Sequence, residues 1–279
     1  MAADGHRVQL TCRLLGVAES GYYEWRDRPA SARALRHEHL TETIRAVHAF
    51  SRGTYGSRRV TAELVLGHGI SVGHGKVELL MRRAGLHGLP GRKRWRHAKP
   101  DTYAADLVKR DFARSGLNAL WVTDITEHPT REGKVYCAAV LDTYSRRIVG
   151  WSIDASPTAA LVTNALSMAI ANRGEVTGTV IHSDQGVQYG SWAFTQRAKA
   201  SGLVPSMGSV GDCYDNGLME SFWSRMQVEL LNRHRWRTRV ELANAMFEYI
   251  EVFHNRQRRH SSIGYLTPIQ FENQSISVA

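Results

Sequence analysis

Residues 120–155 read LWVTDITEHPTREGKVYCAAVLDTYSRRIVGWSIDA. Three runs rich in β-branched and aromatic residues follow one another here: Leu120–Glu127, Val135–Thr143 and Arg147–Ala155. Short polar connections, Thr130–Lys134 and Tyr144–Arg146, separate them, as antiparallel hairpins require. Inside the first run lies Asp124, between Thr123 and Ile125. An aspartate amid Val122 and Ile125 in a central strand is costly unless it meets a cation.

Working outward, the pattern predicts a helix over Thr158–Asn172, a strand over Thr179–Ser183 and a helix over Trp192–Ser201. A short strand, Leu203–Ser206, a Gly-containing loop at 208–211 and a helix from about Asn216 to Asn232 complete the series. The order βββαβαβα describes an α/β fold: a ribonuclease-H-like mixed sheet with helices on both faces.

On that layout three carboxylates stand out. Asp124 lies within the first strand. Asp184 ends the fourth, in His-Ser-Asp-Gln-Gly (182–186), and Glu220 lies one turn into the late helix, in Tyr-Asp-Asn-Gly-Leu-Met-Glu-Ser-Phe-Trp (214–223). Between Asp184 and Glu220 lie 35 residues. Three carboxylates brought together can hold two Mg²⁺, which prefers a few carboxylate oxygens plus waters and substrate phosphates. Paired metals about 4 Å apart clamp the attacking and leaving oxygens of an in-line phosphoryl displacement. Each carboxylate alone has a plainer reading: an Arg-paired strand Asp, a turn Asp before Gly186, a solvated helix Glu. Their joint placement favours the metal site. Asp142 is explained by a turn to Ser145 and Arg146, Asp215 by helix N-capping, and Asp154 by a strand end before Pro157. None of these three is expected as a ligand.

The net charge of +10 is unevenly placed: residues 1–100 carry 18 Lys+Arg against 8 Asp+Glu, and the remainder balances. Such a front third points to a nucleic acid. Residues 7–28 and, after a Gly-punctuated loop at 51–59, residues 60–85 each read as helix, Gly-containing turn and helix, the geometry of a helix-turn-helix. An amphipathic helix over Ser31–Phe50 lies between them. In the second pair Arg58, Arg59, Lys76, Arg82 and Arg83 are candidate phosphate contacts. Gly-Arg-Lys-Arg-Trp-Arg-His-Ala-Lys (91–99) reads as a linker whose Arg92, Lys93, Arg94 and Arg96 track a phosphate backbone around Trp95. Near the C-terminus Arg256, Arg258 and Arg259 cluster after an amphipathic helix, Val240–Phe253, and suit a substrate channel. Cys12, Cys137 and Cys213 are scattered, which argues for a reducing compartment, and no apolar run approaches a membrane span. A cytoplasmic, nucleoid-associated protein is expected.

The blocks Trp-Val-Thr-Asp-Ile-Thr, Leu-Asp-Thr-Tyr-Ser-Arg, His-Ser-Asp-Gln-Gly-Val-Gln-Tyr and Asp-Asn-Gly-Leu-Met-Glu-Ser-Phe-Trp resemble the integrase catalytic core of bacterial insertion-sequence transposases of the IS-three type. The resemblance extends through Gly-Tyr-Tyr-Glu-Trp (21–25), Arg-Gly-Thr-Tyr-Gly-Ser-Arg-Arg (52–59) and the stretch from His254 to Pro268. It implies an Asp-Asp-Glu enzyme with Asp124, Asp184 and Glu220 as catalytic and metal-binding residues, using two Mg²⁺ with Mn²⁺ as a substitute. It further implies hydrolysis that frees a 3′-hydroxyl at the element end, which then attacks a second phosphodiester with no covalent protein intermediate. Its implied partners are element-end and target DNA, the product of an upstream frame (commonly fused by frameshifting) and further copies of the chain on DNA.

One departure is visible. Many relatives carry Lys seven residues after the Glu; here that position is Gln227, which keeps hydrogen bonding but loses the charge that grips a phosphate. The expected organisation is a helical DNA-binding region at 1–90, a basic linker at 91–114 and the catalytic domain at 115–275. The rival reading is a DNA-binding repressor without catalysis, favoured by the absent upstream partner and opposed by the complete triad. A retroviral-type integrase is disfavoured by the lack of paired His and paired Cys near the N-terminus. A ribonuclease H would not need the helix-turn-helix candidates.

Overall fold

The computed structural model describes residues 7–89, 116–184, 186–207 and 217–278. The linker 91–114, the loop 208–211 and the cap assigned to Asp215 lie outside the described residues. Helices α1 (Val8–Leu15) and α2 (Glu19–Asp27) form as the first predicted pair, joined through Gly16, whose φ of 67° supplies the left-handed turn. Their apolar residues do not build a core: Leu14 is 78% exposed and Trp25 69%, and only Cys12 is buried.

The next three helices do. Helix α3 (Ala32–Phe50) starts at Ser31, whose side chain accepts from the Ala34 amide, and buries Leu40, Ile44 and Val47 at helical spacing. Helices α4 (Ser57–Leu66) and α5 (His74–Arg83) add Val60, Leu64, Val77, Leu80 and Met81 to the same cluster.

The sheet contains β1 (Leu120–Thr130), β2 (Gly133–Asp142), β3 (Ile148–Asp154), β4 (Val180–Ser183) and β5 (Val204–Met207), in the order β3-β2-β1-β4-β5. The first three are antiparallel neighbours, and β4 and β5 run parallel to β1. Helix α6 (Ala159–Arg173) precedes β4, and α7 (Trp192–Ala200) precedes β5. This is the predicted ribonuclease-H-like arrangement, with every strand of the sequence reading present.

Strand alternation assigns the two sheet faces. Trp121, Ala138, Val140 and Val149 pack beneath α6 and α7. At Gly150 a Cβ would stand 2.2 Å from the Ala165 carbonyl oxygen, so glycine there lets α6 lie directly on β3. The opposite face carries Val122, Cys137, Ala139 and Leu141 and is covered by α8 (Gly217–Glu229) through Met219, Phe222 and Met226. Helix α9 (Arg239–Phe247) follows and continues as a wider π-helical stretch, Glu248–Gln257. Helix α10 (Pro268–Val278), which the sequence reading did not anticipate, ends the chain.

The α3–α5 residues belong to the same apolar cluster as this second face. A buried ion pair braces the second face itself, and Arg259 bonds it to the helical region. Glu229 is held by a bidentate Arg258 pair at 2.8 and 2.7 Å and by the Tyr249 hydroxyl at 2.8 Å. Arg259 Nε reaches Glu63 of α4 at 2.6 Å, and its amide donates to the Tyr55 hydroxyl at 2.7 Å.

Candidate active site

Asp124 shares a face of β1 with Leu120 and Val122, the face that α8 covers, because side chains alternate along a strand. Its partner across β2 is Ala139, small enough to leave the carboxylate room. On the other side the parallel pairing of Val122 with His182 sets the register. Two residues further along both strands that register leads from Asp124 to Asp184.

Half-buried Asp124 accepts from the Ile125 amide at 2.8 Å through Oδ1 and from the Trp223 indole Nε1–H at 3.1 Å through Oδ2. Burial pushes its carboxyl up to about 6, and the charges of Asp184 and Glu220 push in the same direction. Asp184 is exposed, and its Oδ1 accepts from the Gly186 amide at 3.2 Å. Both aspartates line one cleft of about 280 Å³, with Thr126, Tyr136 and Gly186 in its walls. Beneath it, buried Tyr189 and Thr123 bring their hydroxyls to 3.4 Å.

Glu220 sits exposed in the first turn of α8, in electrostatic reach of Asp124. Among the described residues no three carboxylate or imidazole groups stand close enough to enclose one ion. Two aspartates in one cleft and a glutamate that acts on one of them nevertheless form an all-oxygen donor set. Such a set, with the Asp124 carboxyl raised by burial and by its neighbours' charge, has the chemistry of a Mg²⁺ site.

The other carboxylates are otherwise engaged. Buried Asp142 accepts from the amides of Asn118, Tyr144 and Ser145 and faces Arg173. Asp154, at its exposed strand end, accepts from the Ala155 amide. Glu127 at the cleft rim pairs with Lys134 at 2.6 Å.

The polar and basic residues singled out from sequence meet different environments. Arg58 and Arg256 are exposed; Arg59 is half-buried, its Nε donating to the Arg259 carbonyl at 3.1 Å. Gln227 lies on α8 and donates to Asn232. Arg92, Lys93, Arg94 and Arg96 lie outside the described residues. Arg258 and Arg259 correct the sequence reading: each is 3% exposed, and Glu229 and Glu63 neutralise them. Arg259 ties the C-terminal stretch to α4, Arg258 braces α8, and neither is a free surface contact for phosphate. Trp223 was quoted from the sequence without a role. Its spacing of three residues from Glu220, one turn along the same face, was the available signal.

Comparison with known proteins follows this geometry. A family model described as "Integrase core domain" matches residues 114–213, a second of the same description matches 201–268, and an "HTH-like domain" matches 35–94. The HTH-like match covers α3–α5 and leaves out the first helical pair. The chain is 36% identical over 279 residues to "Transposase InsF for insertion sequence IS3A" of Escherichia coli, covering 97% of this chain and 95% of that protein. It is 37% identical over 268 residues to "Insertion element IS600 uncharacterized 31 kDa protein" of Shigella sonnei, covering 94% and 97%. Among solved structures, the catalytic core domain of HTLV-2 integrase in complex with magnesium aligns with a TM-score of 0.43 and 18% identity, covering 56% of this chain and 96% of that one.

Proposed function

Since the chain belongs to the IS3-type insertion-sequence transposases, we propose that it cuts and joins DNA strands as an Asp-Asp-Glu polynucleotidyl transferase built on Asp124, Asp184 and Glu220. The observation that carries this reading is Asp124 itself. Its carboxyl is raised to about 6 by burial and by the charges of the other two residues, which arrive from a different strand and from a helix. A fold keeps such repulsion where a cation relieves it.

Asp124, Asp184 and Glu220 are the residues that would hold two Mg²⁺, with Mn²⁺ as a substitute. Bound there, the ions would neutralise charge on the attacking and leaving oxygens of an in-line displacement. The protein's own part is positional. Trp223 fixes the Asp124 carboxylate, the Gly186 amide fixes Asp184, and β1 and β4 keep the two aspartates on one cleft wall.

DNA is the substrate, in keeping with the HTH-like and integrase-core matches. Residues 1–90 would bind it, 91–114 would bridge, and 115–275 would carry the chemistry. Arg58 and Arg256, both exposed, suit phosphate contacts, and Gln227 a hydrogen bond near the cleft. An upstream-frame product joined to this chain, and further copies assembled on two element ends, complete the proposed machine. No described helix is long and apolar enough to cross a membrane, consistent with work on the nucleoid in the cytoplasm.

The test is Mg²⁺-dependent cleavage and strand transfer on element-end DNA, with the chain alone and with the upstream product. Asp184→Asn and Glu220→Gln should each abolish product while DNA affinity stays within about threefold, because phosphate contacts and not these carboxylates supply affinity. Undiminished strand transfer in both variants would overturn the assignment.

A further inference from the structure

Helix α8 has two distinct faces. Glu220, Trp223 and Gln227 fall along one; Leu218, Ser221, Phe222 and Arg225 fall along another, turned roughly 180° away at about 100° per residue. That second face does not simply meet solvent. With Arg59 of α4, Arg146 of the β2–β3 turn, Arg258 and His260 it lines a cavity of about 260 Å³, open to solvent and separate from the carboxylate cleft.

Only part of the charge in this cavity is compensated by an ion pair. Arg258 is neutralised by Glu229. Arg59, Arg146 and Arg225 have no carboxylate within ion-pair distance among the described residues. Arg146 Nε and His260 Nε2 are buried without any hydrogen-bond partner. Arg146 is held in place with a left-handed φ of 65°, its amide donating to the Asp142 carbonyl and its own carbonyl accepting from His254 Nε2 at 2.9 Å. Burial, then the neighbouring Arg258 and Arg225, draws Arg59 down to about 10. A solvated basic surface would show none of this. Arg59 and Arg146 are half-buried with no carboxylate at ion-pair distance, a cost in free energy that an anion recovers, while exposed Arg225 stands at the rim, and the planar guanidinium forks match phosphate oxygens.

We propose that this cavity receives a backbone phosphate of the DNA, gripped by Arg59, Arg146 and Arg225 with the His260 imidazole as a further hydrogen-bond partner. The assignment to DNA rests on the transposase reading; the anion site itself rests on the cavity. A phosphate seated there bridges α4 of the HTH-like region and the catalytic helix α8. It thereby ties DNA binding to the position of Glu220 without touching the carboxylate cleft.

The experiment uses the full chain, an element-end duplex and EDTA, so that no chemistry occurs. Single neutral methylphosphonates are placed along each strand. The wild type should lose about tenfold in affinity at the linkage that occupies the cavity, in line with a lost charge-assisted contact. Arg225→Gln should lose the same factor on unmodified DNA, become indifferent to that one linkage and shrink the salt slope by about 1. Ser221→Asp, an exposed change on the same wall, should reproduce the loss, and Arg197→Gln on α7 should not. If Arg225→Gln and Ser221→Asp bind like wild type and keep every methylphosphonate sensitivity, the proposal is wrong. A second arm titrates inorganic phosphate: a raised Tm in wild type but not in Arg225→Gln, with DNA affinity unchanged in the variant, would give the cavity to a free anion and overturn the DNA assignment. Failure of Mg²⁺-dependent strand transfer alongside an intact methylphosphonate signature would count against the catalytic reading alone.

Discussion

The indole Nε1–H of Trp223 donates to Oδ2 of Asp124 across 3.1 Å, joining the middle of helix α8 to the central strand β1. Glu220 lies one helical turn before Trp223 on the same face, so this bond also sets where Glu220 stands. Parallel pairing of β1 with β4 brings Asp184 along the other side. Three different devices thus set the two aspartates in one cleft and Glu220 in electrostatic reach of Asp124: strand alternation, parallel register and a side-chain tether. Only the last is a single replaceable bond.

Trp223→Phe keeps an aromatic ring against Phe222 and removes only the N–H. Losing one hydrogen bond to a charged group should cost about 1.5–3 kcal/mol of the order that holds Asp124. Strand transfer should fall about tenfold and the Mg²⁺ concentration for half-maximal rate should rise, while DNA affinity stays unchanged. A merely structural tryptophan would lower the Tm without moving the Mg²⁺ dependence. Equal Mg²⁺ titrations in wild type and variant would remove Trp223 from the site.

The Arg258–Glu229 pair makes a different prediction because both side chains are 4% exposed. Glu229→Gln leaves Arg258 buried without its counter-charge, and breaking such a pair from one side costs about 3–5 kcal/mol. The double change Glu229→Leu with Arg258→Met removes both charges and should regain most of the loss. Urea unfolding of the two variants checks this: a double variant as unstable as the single one would mean that packing, not charge, governs the position.

The contrast between these two sites explains what the sequence disclosed. Strands β1 to β3 are joined by short hairpins, so their period and turn chemistry are local and readable. Asp124 and Asp184 could be placed at strand positions for the same reason. Arg256, Arg258 and Arg259 read as one basic cluster, yet only Arg256 is exposed. The fates of Arg258 and Arg259 were decided by Glu229 and Glu63, 29 and 196 residues away. No local pattern carries such a pairing. The cavity behind α8 was hidden likewise, because what that face of the helix meets comes from α4 and the β2–β3 turn. The leucines of α1 show the converse limit, since a helical period forecast the helix but not a core for it to join.

Acid should destabilise the fold through His254. Its ring is buried against Phe222 and His260, with centroids 4.8 and 4.7 Å away, and its Nε2 serves the Arg146 carbonyl. Arg258 and Glu229 also act on it, with opposite signs, but burial dominates and lowers its pKa from 6.5 to about 4. Between those two values the unfolded chain binds a proton that the folded chain refuses. Stability is therefore fully present above pH 6.5 and is lost as pH falls toward 4, by at most roughly 3 kcal/mol from this group. His260, held well below its ordinary value by burial, acts in the same direction. The urea midpoint should thus fall between pH 7 and pH 5, with one to two protons taken up on unfolding. His254→Gln, which keeps a donor for the Arg146 carbonyl but cannot titrate, should show a shallower fall. A variant whose midpoint drops as steeply as that of the wild type would place the acid sensitivity elsewhere in the fold.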